Sequence, residues 1–76
     1  MDEQEIENRL ALLPGVLHSL DHEIKVALVR NDYVGLDTFP TDNDGWTILK
    51  AECGIESTAK LNSVKNRITP LQSQGN

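Results

Sequence analysis

The chain contains few of the residues that stabilise small proteins through covalent or metal links. It has 76 residues and a single cysteine, Cys53, so no disulfide can form within it. It has two histidines, and Trp, Tyr and Phe occur once each. A chain this short buries only a modest fraction of its surface, and a metal or a second subunit often supplies further stability. A homodimer is therefore one expectation from size alone.

Long apolar runs and a basic N-terminus are also missing. No stretch approaches the roughly 18 apolar residues of a membrane-spanning helix. The first residues, from Met1 to Glu5, are acidic, whereas a secretory signal starts with basic residues and continues as an apolar run. A lone cysteine suits a reducing compartment. We therefore expect a soluble, cytoplasmic protein that makes no contact with membranes.

Positive charge is scarce over most of the chain. Residues 1–56 carry twelve acids and four bases, whereas residues 57–76 carry Lys60, Lys65 and Arg67 and no acid, for a formal net charge of −5. This asymmetry indicates a local surface that faces a polyanion on an otherwise acidic body. The favourable placement of bases near helix C-termini explains the same pattern without any function, so both interpretations stay open.

The first predicted helix covers residues 2–13. Asp2 is a suitable N-cap, and Pro14-Gly15 ends the helix. Its inward face, predicted from helical spacing, consists of Ile6, Leu10 and Leu13.

Residues 16–31 allow two interpretations. As a helix, their apolar residues recur at steps of three and four, which forms a stripe of Leu17, Leu20, Ile24 and Leu28. As a strand, alternate apolar residues from Ile24 to Leu28 lead into a hairpin over residues 23–39. The helix accounts for more residues and is the prediction, with the hairpin as the alternative. Tyr33, Leu36 and Phe39 are expected to anchor the connection over residues 32–41.

Two more helices are predicted in the second half of the chain. One runs from 42 to 53, with Thr41 as its cap and Gly54 as its end. The other runs from 57 to 68, with Ser57 as its cap and Pro70 as its stop. The inward faces are Trp46, Leu49 and Cys53, flanked by Ile48, in the former, and Leu61, Val64 and Ile68 in the latter.

These segments predict an all-α fold, a small bundle of about four helices with a helix-turn-helix-like C-terminal pair. The alternative is an α+β fold with the hairpin at 23–39. Residues 1–70 form one small helical domain in this interpretation, and residues 71–76 form a disordered tail because they have nothing to bury.

The stretch from Leu49 to Leu61 resembles a helix-turn-helix motif. In that motif a small residue, a glycine and an aliphatic residue form the turn between two helices, and Cys53, Gly54 and Ile55 stand in those places. Lys50 and Lys60 depart from the usual alanine and aliphatic residues. The resemblance, over residues 42–68, implies a DNA-binding protein, such as a transcriptional regulator or an accessory factor, whose last helix enters the major groove.

The outward side of that last helix has the chemistry of a DNA reader. Lysine and arginine contact phosphate or guanine, asparagine contacts adenine, serine reaches either, and alanine packs on a thymine methyl. The predicted DNA-binding residues are Thr58, Ala59, Lys60, Asn62, Ser63, Asn66 and Arg67. A module of this kind often binds as a dimer.

A second hypothesis is an acidic adapter or inhibitor that binds a basic partner protein. Its surface would be the acidic first helix, together with the acidic connection from Asp32 to Asp44. Complementary charge guides such associations. The carboxylates of the first helix are Asp2, Glu3, Glu5 and Glu7.

No residue pattern indicates an enzyme or a cofactor. His18 and His22 have the spacing of two metal ligands on a helix, but no matching third ligand is evident. The stretch Asp42–Gly45 fails the register of a calcium loop, because Pro40 and Ala51 would stand at the first and twelfth positions. Cys53 on an apolar face is interpreted as a small buried residue rather than a nucleophile.

Overall fold

Four α-helices and two short 3₁₀ turns make up the computed structural model, which describes residues 1–73. No strand occurs in this range. The all-α prediction is therefore confirmed, and the alternative hairpin over residues 23–39 is wrong. The helices are α1 (Glu3–Leu10), α2 (His22–Arg30), α3 (Asn43–Glu52) and α4 (Thr58–Ser73), and the 3₁₀ turns are Gly15–Leu17 and Leu36–Thr38.

Helix α1 begins at the predicted cap and ends earlier than predicted. The Glu5 amide donates to Asp2 Oδ1 at 2.8 Å, which satisfies one of the free N–H groups of the first turn. Beyond Leu10 the chain tightens, and the Leu13 amide donates to the Leu10 carbonyl at 3.2 Å. This tightening carries Leu13 into the core, where it is 3% exposed.

The predicted helix over residues 16–31 is interrupted. A 3₁₀ turn places Leu17 in the core at 0% exposure, and the regular helix α2 starts only at His22. Ser19 and Asp21 explain the break, because both residue types favour caps over helix interiors. The amides of Ile24 and Lys25 both donate to the Asp21 carbonyl at 3.1 Å.

The connection between α2 and α3 is held by two of its three predicted anchors. Phe39 is 4% exposed and Tyr33 is half-buried, whereas Leu36 is 36% exposed. The rings of Tyr33 and Phe39 lie 6.0 Å apart, and those of Phe39 and Trp46 lie 6.2 Å apart. Aromatic pairs at these separations add to the stabilisation from burial.

Helix α3 starts one residue later than predicted. Its cap is Asp42, whose Oδ1 accepts from the Gly45 amide at 2.7 Å, rather than Thr41. A Cβ atom at Gly45 would lie 2.6 Å from Pro40 Cβ, so the start of α3 needs a glycine to pack against Pro40. The helix ends at Glu52, one residue before the predicted end, and Gly54 follows with φ +66°, the left-handed conformation that the sequence predicted there.

Helix α4 begins as predicted and extends beyond its predicted end. Ser57 Oγ accepts from the Lys60 amide at 3.2 Å, but Pro70 lies inside the helix, which continues to Ser73. The missing N–H of Pro70 removes one bond near a helix end. Gln72 Nε2 donates to the Pro40 carbonyl at 2.9 Å and thereby fixes the last turn. Residues 71–73, predicted as tail, are thus helical, and residues 74–76 lie outside the described residues.

One hydrophobic core joins α2, α3 and α4, and Leu10 of α1 packs against it. Helix α1 packs on α2, and α4 packs against both 3₁₀ turns. Within residues 1–73, no helix is both long enough and apolar enough to pass through a lipid bilayer. The core residues are Leu13, Leu17, Ile24, Leu28, Val29, Phe39, Trp46, Leu49, Ile55, Leu61, Val64 and Ile68.

Candidate interaction surfaces

The turn between α3 and α4 has the local features expected of the predicted motif. Gly54 takes up the left-handed conformation, and Ile55 is 7% exposed beneath the turn. The Ile55 amide donates to the Lys50 carbonyl at 3.0 Å. Cys53 Sγ lies 3.7 Å from the Ala27 carbonyl of α2. The turn is therefore packed against α2, and it fixes where α4 begins.

The outward side of α4 carries no charge at its centre. Ala59, Asn62 and Asn66 are exposed, and Thr58 is exposed at the first turn. These residues occupy the side of the helix away from the buried Leu61, Val64 and Ile68. Four of the seven predicted DNA-binding residues thus lie on an open, uncharged polar surface.

The charged members of the predicted DNA-binding set lie at one edge of α4 and contact the protein itself. Lys60 Nζ lies 3.6 Å from Asp21 Oδ2. Arg67 Nη1 donates to Ser63 Oγ at 2.6 Å and to the Ser63 carbonyl at 3.0 Å, and both residues are half-buried. Lys65 faces the other way, where its Nζ donates to Asn43 Oδ1 at 2.9 Å.

Most cations of the chain have a partner within the protein. Arg9 Nη1 lies 3.0 Å from Asp32 Oδ1. Lys25 Nζ and Lys50 Nζ donate to the carbonyls of His18 and Glu56 at 3.0 Å and 3.3 Å. Together with the three cations of α4, six of the seven Lys and Arg side chains are engaged, and Arg30 is the exception among residues 1–73.

Several carboxylates, in contrast, have no such partner. Asp2 and Asp42 cap helices, and Asp21 and Asp32 pair with cations. In the described part of the chain, the carboxylates of α1 and of the start of α2 make no hydrogen bond or ion pair, and all four are exposed. We call this set the free acidic face: Glu3, Glu5, Glu7 and Glu23.

A groove runs between α1 and α2 beside the free acidic face. Its floor is apolar and contains Ile6, Val26 and Ala27, with Cys53 at one end. Its rims carry Glu3, Glu7 and Glu23 as acids, and Arg30. The predicted stripe of Leu17, Leu20, Ile24 and Leu28 did not indicate this groove. The available signal was the pair Glu3 and Glu7, whose spacing of four places both side chains on the face that also presents Ile6.

The fold raises the pKa values of Tyr33 and Cys53. Tyr33 Oη donates to Glu52 Oε1 at 2.5 Å, and this bond, with burial and the Glu52 charge, raises the pKa of Tyr33 to about 12. Burial and the Glu52 charge raise the pKa of Cys53 to about 11. Cys53 is half-buried and protonated at neutral pH, whereas reactive cysteines need an accessible thiolate.

The other rejected sites have structural roles. His18 Nε2 lies 3.0 Å from the Leu13 carbonyl and helps to hold the first 3₁₀ turn. Asp42 caps α3. Over residues 1–73, no three His, Cys, Asp or Glu side chains are arranged as a metal site.

Comparison of the chain with protein-family models, with curated proteins and with solved structures finds no match.

Proposed function

We propose that the chain is a small protein-binding module that engages a basic partner protein through its free acidic face. The observation that supports this proposal is the pairing of charges. Six of the seven cations are engaged within the protein, while Glu3, Glu5, Glu7 and Glu23 are exposed without a partner. Three of these carboxylates, Glu3, Glu7 and Glu23, line one groove and therefore place uncompensated negative charge in one region.

Charge of this kind acts on recognition more than on stability. Exposed carboxylates steer an oppositely charged partner during diffusional encounter and repel partners of the same sign. Salt weakens the effect because the screening length is about 8 Å at physiological ionic strength. We expect association with the partner to be fast at low salt and to slow as salt is added.

The test is zero-length crosslinking between carboxylates and lysines in an extract of the source cells. The tagged wild-type chain is expected to form crosslinks from the free acidic face to lysines of one partner. The triple variant Glu3→Lys, Glu5→Lys, Glu7→Lys also lacks the carboxylates that crosslink, so its binding is measured by pull-down of the tagged chain without crosslinker. There it is expected to lose that partner, because three attractive charges become repulsive.

Asp37→Lys with Asp44→Lys is the control, since both acids are exposed and lie outside the free acidic face. This control is expected to retain the partner. If the triple variant and this control lose the partner to the same extent, net charge alone causes the capture. Capture that disappears after nuclease treatment would contradict the proposal and favour DNA.

DNA binding through α4 is a second candidate, in which the protein acts as a transcriptional regulator or an accessory factor. It is favoured by the exposed, acid-free surface of Thr58, Ala59, Asn62 and Asn66. The net charge of −5 works against it, because phosphate contacts from cations supply most nonspecific affinity for DNA. The two cations nearest this surface, Lys60 and Arg67, would have to leave Asp21 and Ser63 to reach phosphate.

Fluorescence anisotropy of labelled duplex DNA tests this second candidate. DNA binding is expected to weaken as salt is added. The double variant Lys60→Ala with Arg67→Ala is expected to abolish binding while its helicity stays unchanged. Wild-type protein that leaves the anisotropy unchanged even at low salt would exclude it.

A further inference from the structure

We propose that the groove between α1 and α2 holds one apolar side chain of the partner, with lysine or arginine on either side of it in the partner's sequence. This inference rests on the proposed function, because it specifies which part of the partner meets the acidic surface. The ligand of the groove is then a short basic segment of the partner, with an apolar side chain as its anchor.

The floor of the groove can hold the apolar side chain of the partner. Ile24 and Leu28 of α2 are buried in the core, but Val26 and Ala27 are only half-buried and line the groove. Helix α1 has eight residues and leaves this side of α2 partly uncovered. Covering apolar groups such as these with a further apolar side chain removes them from water, which is favourable.

The rims of the groove can bind the cations of the partner. Glu3 and Glu7 stand four residues apart on α1, and like charges at this spacing destabilise a helix slightly. Glu23 faces them from the start of α2. A cation bound between the two rims would relieve the repulsion on α1 and pair with a carboxylate on each side.

Arg30 adds a positive charge to a groove whose other charged rim residues are acids. It lies seven residues after Glu23, so the two side chains are separated by about 10 Å along α2. The cations of the bound segment are expected to contact Glu3, Glu7 and Glu23 and to avoid Arg30. A second copy of this chain is a poor occupant, because it also carries a net charge of −5, and nucleic acid would be repelled by the three rim carboxylates.

The experiment uses two labelled synthetic peptides and the full chain. In the first peptide one leucine is flanked by lysines, and in the second a serine replaces the leucine. Both carry the same charge, so anisotropy titrations separate the apolar contact from general attraction. Wild-type protein is expected to bind the leucine peptide about tenfold more tightly, the size of effect that burial of one such side chain produces.

Matched variants locate the contact. Val26→Ser is expected to remove the preference for leucine, whereas Val16→Ser is expected to retain it, because Val16 is 40% exposed and lies outside the groove. Glu3→Gln with Glu7→Gln is expected to lower the affinity for both peptides about fivefold at low salt. Asp37→Asn with Asp44→Asn removes the same charge elsewhere and is expected to have little effect. Circular dichroism confirms that each variant keeps its helices.

The outcomes separate this inference from the function on which it rests. Equal binding of both peptides, reduced by the Glu3 and Glu7 variant but not by the Asp37 and Asp44 variant, would overturn the groove and leave the acidic module in place. Loss of leucine preference in Val16→Ser as well as in Val26→Ser would also overturn it. Failure of the leucine peptide to bind would overturn the groove, while crosslinks from a cellular partner to the free acidic face would still support the module.

Discussion

At the scale of single residues, the one tyrosine of the chain is a group whose pKa the fold raises. Tyr33 is half-buried and donates a short hydrogen bond to Glu52, one residue before Cys53. A neighbouring carboxylate and partial burial both disfavour the phenolate. Burial, and then the same carboxylate, disfavour the thiolate of Cys53 and raise its pKa. These residues join the connection after α2 to the end of α3, so their protonation is linked to the fold.

Tyr33 is expected to ionise well above its ordinary pKa. The folded chain holds the Tyr33 proton up to about pH 12, whereas the unfolded chain releases it near pH 10. The hydrogen bond from Tyr33 therefore contributes fully to the stability of the fold below about pH 10. This contribution is lost as the pH rises through this window. Absorbance of tyrosinate reports Tyr33 alone, because the chain has one tyrosine.

The titration midpoint of the native protein is expected above 10, and urea is expected to restore the ordinary value. Glu52→Gln removes the charge and is expected to lower the native midpoint. A native midpoint that matches the unfolded one would show that Tyr33 does not donate to Glu52 in solution.

At the scale of elements, helix ends decide how the chain is divided. Asp2, Asp42 and Ser57 each accept a hydrogen bond from a first-turn amide, and caps of this type stabilise a helix by about 1 kcal/mol. Gly54 ends α3 in the left-handed region and sets the start of α4. Pro70 does not end α4, because the side chain of Gln72 holds the following turn to the Phe39–Pro40 segment.

Gly54→Ala is expected to destabilise the protein by about 1 kcal/mol. A Cβ atom at Gly54 would meet nothing within 4 Å, so the cost arises only from the left-handed backbone, which alanine disfavours. Gly15→Ala is the matched control, because its Cβ also meets nothing and its φ is not positive. Urea unfolding is expected to show Gly15→Ala equal to wild type or slightly more stable. Equal destabilisation of the two variants would contradict this account of the turn.

At the scale of the whole molecule, stability depends on a core shared by elements that are distant in sequence. Leu17 of the first 3₁₀ turn, Leu28 of α2 and Leu49 of α3 are all 0% exposed in one cluster. No disulfide supports them, since Cys53 is the single cysteine. A domain of this length is stable by only about 4 to 11 kcal/mol. One core side chain is therefore a large share of the total.

Leu17→Ala is expected to reduce the free energy of unfolding by about 2 to 5 kcal/mol, because it leaves a cavity where the 3₁₀ turn meets the core. Chemical denaturation followed by circular dichroism measures the loss. Leu12→Ala, at a position 68% exposed, is the control and is expected to change stability by less than about 0.5 kcal/mol. A small effect at Leu17 would mean that the first 3₁₀ turn is not part of the cooperative core.

The sequence by itself determined the fold class, three of the four helix starts to within about one residue, and the inward faces of α1 and α4. These features depend on local spacing and on capping residues such as Asp2 and Ser57, whose effects act within one or two helical turns. Gly54 belongs to the same class, because the end of a helix in the left-handed region favours glycine. The DNA-binding and adapter hypotheses also began here and stay predictions.

Only the tertiary structure decided the start of α2, the length of α4, the pairing of charges and the groove. Leu17 fits a helical stripe, but it reaches the core from a separate 3₁₀ turn, and Pro70 is tolerated because Gln72 contacts a segment more than thirty residues away. Lys60 faces Asp21, and Arg67 folds onto Ser63. Whether Glu3, Glu7 and Glu23 face each other depends on how α1 packs on α2, and this packing is set by contacts between residues distant in sequence, which local periodicity does not contain.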